Sequence, residues 1–202
     1  MGNNSEILIR FVKCLPDFTI VTEIDGNYQN MGATIIDGIL QAGINYTSTV
    51  KPRVNDFLNK YPNTKTVQDF KVLCDSVSVP ALINWKKSAK TERIEKLTIF
   101  LIKEGIDTEE EFKEWLKYSN NITMLKRLPG IKDKTADYFK ILTGHNTNAI
   151  DRHLIGFLSK AGISVSSYKE AQSIISETAR MLNIPESYFD HSIWKYMSES
   201  NA

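Results

Sequence analysis

Arg127, Lys132 and Lys134 crowd one turn of this chain, within the run MLKRLPGIKDKTADYFKILTG from Met124 to Gly144. Asp133 is the only acid in that turn. Pro129-Gly130 forces the chain to reverse. Met124 and Leu125 close a short helix before the turn, and Ala136, Phe139, Lys140 and Leu142 fall on the faces of a second helix after it. A tight turn opening onto a helix N-terminus leaves several backbone N–H groups pointing outward. Those donors and the helix dipole together make a seat for a phosphate. The chemistry expected is a grip on a nucleic-acid backbone, indifferent to base sequence. A plain packing corner between two helices would share the same local pattern.

The segment LPGIKDKTA resembles the hairpin of the helix-hairpin-helix DNA glycosylase superfamily, which includes endonuclease III and the 8-oxoguanine glycosylases. The matching positions are Leu128, Pro129, Gly130, Ile131, Lys134, Thr135 and Ala136. Lys132 stands where that family places its second glycine, so its backbone angles must admit a side chain. Downstream, Ile150-Asp151-Arg152-His153 resembles the aliphatic–Asp–x–His element of the same superfamily. The chain between Lys134 and Asp151 is long enough for one helix and a returning loop. The segment ILQAGINY, Ile39 to Tyr46, resembles the helix end and loop that these enzymes push into the gap left by an extruded base. Gln41, Asn45 and Tyr46 are the corresponding wedge candidates. Tyr188 to Met197 resembles the family's last core helix, with Trp194 and Tyr196 read as packing groups. The likeness runs from about residue 30 to the end.

The resemblance implies a base-excision-repair glycosylase with an associated lyase activity. Base removal passes through a sugar cation, which a fixed carboxylate stabilises; Asp151 is the candidate. A lysine amine can instead attack the anomeric carbon, displace the base and form a Schiff base, after which loss of the 3′ phosphate nicks the strand. Lys134 is the candidate nucleophile. Its place in the first turn of a helix, beside Lys132 and Arg127, disfavours the ammonium form and so favours attack. Arg127, Leu128, Gly130, Ile131, Lys132, Thr135 and His153 are the candidate DNA contacts. Two other roles remain open. Lys134 could touch phosphate alone, and Asp151 could serve at the third position of a helix capped by Asn148. The corresponding alternatives are a monofunctional glycosylase using water activated by Asp151, and a hairpin module that binds DNA without chemistry. An oxidised purine is the favoured lesion.

Positioning such groups requires helices. Val50, Val54, Phe57, Leu58 and Tyr61 form a helical stripe with Pro52 in its first turn. Ile94, Leu97, Leu101 and Ile102 form another, which Gly105 can end. Thr108 precedes Glu111 at capping-box spacing, ahead of Phe112, Trp115 and Leu116. The acids Asp107, Glu109, Glu110 and Glu111 therefore read as helix N-terminal charge and not as a metal site. Only Phe18 to Ile24, followed by Asp25-Gly26, suggests a small extended hairpin. The expected architecture is all-α, one glycosylase unit of two helical lobes flanking a cleft, with the hairpin at about residues 122–143.

Composition narrows the remaining classes. With 42% hydrophobic and 24% charged residues the chain matches ordinary globular proteins. A net charge of +1 neither demands nor excludes nucleic acid, because a local basic face is what binds. Cys14 and Cys74 are too few for an iron–sulfur cluster, and with three scattered histidines no metal site is expected. Both thiols are expected to be reduced and buried. No cofactor is required, although hairpins of this type can hold a monovalent cation. No apolar run suits a membrane and no leader pattern is evident, so an intracellular monomer is expected, in the cytoplasm and nucleoid or in a nucleus. Its partner would be double-stranded DNA carrying a damaged base or an abasic site.

Overall fold

A computed structural model describes residues 4–86 and 88–199. It is all-helical, and among the described residues there is no strand. In chain order the helices are α1 Asn4–Cys14, α2 Met31–Leu40, α3 Lys51–Lys60, α4 Val67–Val77, α5 Val79–Leu82 and α6 Ala89–Lys103. They continue with α7 Glu109–Trp115, α8 Ser119–Leu125, α9 Asp133–Leu142, α10 Arg152–Lys160, α11 Tyr168–Leu182 and α12 Glu186–Glu199. A π-helical turn, Tyr46–Val50, leads directly into α3, whose Pro52 sits in the first turn where its missing N–H costs nothing.

The middle of the chain, Gly26–Gly144, is one compact unit built around α2. All ten residues of α2 are buried, and all but Thr34 and Asp37 are apolar or glycine. α3, α4, α6 and α9 pack directly against it. Two glycines permit that crowding. A Cβ on Gly38 would stand 2.1 Å from the Phe139 ring, and one on Gly32 would stand 2.7 Å from Phe57. Side chains at either position would displace an aromatic ring from the core.

The acidic run serves helix ends, as anticipated. Glu111 completes a capping box with Thr108, accepting from the backbone N–H groups of Asp107 and Thr108 at 2.8 and 2.9 Å. Asp107 accepts from Gln68 N–H at 3.0 Å in the first turn of α4. Glu109 is buried beside α2, accepting from Gln29 N–H at 2.6 Å and from the Thr34 hydroxyl. Burial raises its carboxyl above the usual range against the opposing pull of these hydrogen bonds.

Among the described residues, 4–25 and 145–199 form the second compact unit. α1 packs on α11, while α10 and α11 both pack on α12. Its core holds Leu8, Leu154, Phe157, Ile175, Phe189 and Ile193. The extended hairpin expected over residues 18–24 is absent, since no second strand pairs with it. The Phe18 ring instead inserts among Phe157, Phe189 and Tyr196 at 5.5, 6.2 and 5.7 Å. Val21 N–H is satisfied by the Ser192 hydroxyl at 3.0 Å. The cysteine expectation also needs correcting: both thiols are free, but Cys14 is exposed at the end of α1 and Cys74 is half-buried. Burial, with Asp75 and Glu95 nearby, pushes the Cys74 thiol up to about 12. Among the described residues no helix is long and apolar enough to cross a membrane.

Candidate nucleic-acid interface and lysine site

The charged turn lies between α8 and α9. Ile131 and Leu125 are buried and Leu128 packs against the same core, so the apolar residues of the motif anchor the turn. Thr135 and Ala136 are likewise buried in the first turns of α9. Arg127, Gly130 and Lys132 are exposed. Gly130 has φ 81°, the left-handed region that glycine enters without strain. The Arg93 guanidinium of α6 lies against it, and a Cβ there would come within 2.5 Å of that group.

Lys132 occupies the N-cap position of α9 with φ −123° and ψ −173°, extended backbone open to any residue. The departure from the glycosylase pattern therefore brings no backbone strain. Its side chain supplies no acceptor to the first turn, so the cap leaves that end of the helix attractive to an external anion. Lys126 pairs with Asp133 and neutralises the one acid of the turn.

Lys134 is half-buried. Its Nζ donates to Oε1 of Gln41, at the end of α2, and lies 4.7 Å from the centre of the Tyr138 ring one helical turn further along α9. A second lysine that the motif reading missed stands close by. Lys90 Nζ donates to the carbonyls of Ile39, Leu40 and Ala42 at 2.7, 3.2 and 2.6 Å, closing the C-terminal end of α2. Burial, with the charges of Arg93 and Lys134, lowers Lys90 to about 8. Lys90 and Arg93 are three apart on α6, a spacing visible in the chain; what they face is not.

The wedge candidates are each engaged within this unit. Gln41 is 7% exposed and also donates to the Gly38 carbonyl at 3.2 Å. Asn45 is exposed and caps the π-helical turn, accepting from Ser48 N–H at 2.9 Å. Tyr46 donates its hydroxyl to Asp37 Oδ2 at 3.1 Å. Gln41 is thus the wedge candidate whose side chain accepts from the Lys134 amine.

Asp151 belongs to the other unit, where it is the N-cap of α10 and not the third helical residue behind an Asn148 cap. Its Oδ1 accepts from His153 N–H at 2.8 Å and Leu154 N–H at 3.1 Å. Asn148 is fully buried and spends its amide on the Ser176 hydroxyl and the Glu186 carboxylate at 2.9 and 3.1 Å. The helix starts at Arg152, with the Asp151 carboxylate at its entrance. The His153 ring packs 6.2 Å from Trp194. Among the described residues no group of three or more His, Cys, Asp or Glu side chains is gathered to hold a metal.

No curated protein and no solved structure matches the chain. Residues 8–198 match a family model described as a domain of unknown function, DUF8548. Because that match covers nearly the whole chain, from within the first helix to within the last, the chain belongs to the DUF8548 family.

Proposed function

We propose that the chain is a DNA glycosylase with lyase activity, acting in base-excision repair on double-stranded DNA that carries a damaged base or an abasic site. The observation that carries this reading is Lys134: an amine held by Gln41 and Tyr138 in the first turn of a helix whose cap offers no acceptor, beside the exposed cations Arg127 and Lys132. Backbone N–H groups of the turn grip a phosphate while the two cations add a sequence-independent attraction.

In the reaction Lys134 gives up its proton, and the lone pair so freed attacks C1′ of the sugar. The bond from C1′ to the base breaks, and the base leaves with that electron pair and takes a proton. Ring opening gives the protonated Schiff base, and loss of a C2′ proton expels the 3′ phosphate. Asp151 supports positive charge on the sugar. Oxidised purine is the favoured lesion, the protein works as a monomer, and its compartment is the one that holds DNA, cytoplasm and nucleoid or nucleus.

Borohydride trapping on lesion-containing and abasic duplexes tests the proposal. A covalent adduct is expected with the wild type and none with Lys134→Ala. Base release that depends on Asp151, without an adduct, would replace the reading with a monofunctional glycosylase. Binding without release on any duplex would leave a DNA-binding module.

A further inference from the structure

A buried acid in the middle of α2 has no place in the scheme above. Asp37 is fully buried within the apolar run TIIDGIL, a position that demands partners. It has three phenols. Tyr28 and Tyr46 donate to Oδ2 at 2.6 and 3.1 Å, and Tyr138 donates to Oδ1 at 3.1 Å. Burial first, and the Asp37 charge second, push the hydroxyls of Tyr28 and Tyr138 well above the usual tyrosine range. Those two phenols therefore remain donors throughout the working pH range, and the acceptor role stays with the carboxylate.

The arrangement has a second rung. Gln41 lies one turn beyond Asp37 on α2, and Tyr138 lies one turn beyond Lys134 on α9. The two helices pack together so that Asp37 takes Tyr138 while Gln41 takes Lys134. The Lys134 ammonium rests over the ring whose hydroxyl Asp37 holds. A phenol that donates to a carboxylate presents a more electron-rich face, and a cation above that face gains from it.

We infer that Asp37 is a positioning residue for Lys134, fixing the Tyr138 ring through its hydroxyl so that ring and Gln41 carbonyl together hold the amine at the hairpin. The inference rests on the reading of Lys134 as the reacting amine, but the seat itself can be measured without DNA. Tyr138→Phe is the informative change, because it keeps the ring and removes the hydroxyl that ties it to Asp37 and Tyr46. A brace with no bearing on Lys134 would alter stability without altering the chemistry of that one amine.

The test is competitive acetylation of the full chain with acetic anhydride across a pH series, read residue by residue by mass spectrometry against exposed Lys160. Tyr138→Phe should raise the relative rate at Lys134 roughly threefold or more, as the ring contact and hydrogen bond loosen, and move its pH profile to lower pH. Tyr138→Leu should do so more strongly, and Asp37→Asn should resemble Tyr138→Phe. Tyr28→Phe, which removes a donor to the other oxygen of the same carboxylate, should leave the profile in place. A wild-type profile in Tyr138→Phe overturns the inference, as does one in a folded Asp37→Asn. If Asp37→Asn fails to fold, Tyr138→Phe alone decides. The two readings separate cleanly: a loosened Lys134 with no trapped adduct in the wild type keeps the seat and removes the lyase, whereas an adduct with unchanged labelling keeps the lyase and removes the seat.

Discussion

Asp151 carries two properties at once, a hydrogen-bond acceptor at the entrance of α10 and a negative charge, and two substitutions separate them. Asparagine is also a good N-cap, so Asp151→Asn should leave the urea midpoint nearly unchanged while base release falls steeply. Asp151→Ala removes both properties and should cost about 1 kcal/mol of stability as well. Release kept by Asp151→Asn, and lost in Asp151→Ala only together with stability, would leave Asp151 as a cap alone. Lys90 invites a different measurement. Its proton is held less tightly in the folded chain, at about 8, than in the unfolded chain, where lysine keeps its ordinary value of 10.5. Between those values the unfolded state binds more protons, so this group adds stability as the pH rises through that window and contributes no pH dependence below it. The urea midpoint of the wild type should therefore gain on that of Lys90→Met between about pH 7.5 and 9.5. A constant difference between the two would show that the lysine is not held as described.

At the scale of elements, the hairpin is a turn whose apolar residues face inward and whose cations face out. Gly130 combines φ 81° with the Arg93 guanidinium pressed against it. Gly130→Ala should cost about 1–2 kcal/mol from the left-handed backbone alone, and more if Arg93 must move. Duplex binding should weaken with it. Lys132 behaves differently, since its extended backbone asks nothing special of the residue. Lys132→Ala should fold like the wild type, bind all duplexes more weakly, and lower the slope of log affinity against log salt by about 1. An unchanged slope would place Lys132 away from phosphate.

Across the whole molecule, the order of the chain and the order of packing differ. α1 comes first, yet it packs on α11 in the unit formed with the C-terminal segment, and its Leu8 is fully buried there. That unit is therefore incomplete without the first helix. Leu8→Ala should destabilise by about 3 kcal/mol in urea unfolding, as for other large-to-small changes in a well-packed core. A change below about 1 kcal/mol would mean that α1 contributes little to the core it touches.

The all-helical class, the capping box at Thr108 and Glu111, the helix ended by Gly105 and the turn at Gly130 were all legible in the chain. Each depends on residues within one or two turns of one another, and local sterics and hydrogen bonding decide them. The absence of a strand at residues 18–24 was not legible, because a short alternating segment becomes a strand only when a partner strand exists. Neither was the start of α10. Asn148 and Asp151 are both good caps, yet the acceptor at the helix start is Asp151 Oδ1, while Asn148 is buried with its amide N–H groups on Ser176 and Glu186 of distant helices. The chemistry divides the same way. Lys134, Asp151 and the cations of the turn could be named from type and spacing. That Lys134 rests on Tyr138 and Gln41, that Asp37 gathers three phenols, and that Lys90 closes α2 depended on helices far apart in the chain meeting in one core. Side-chain contacts of that kind follow from packing, which no local pattern encodes.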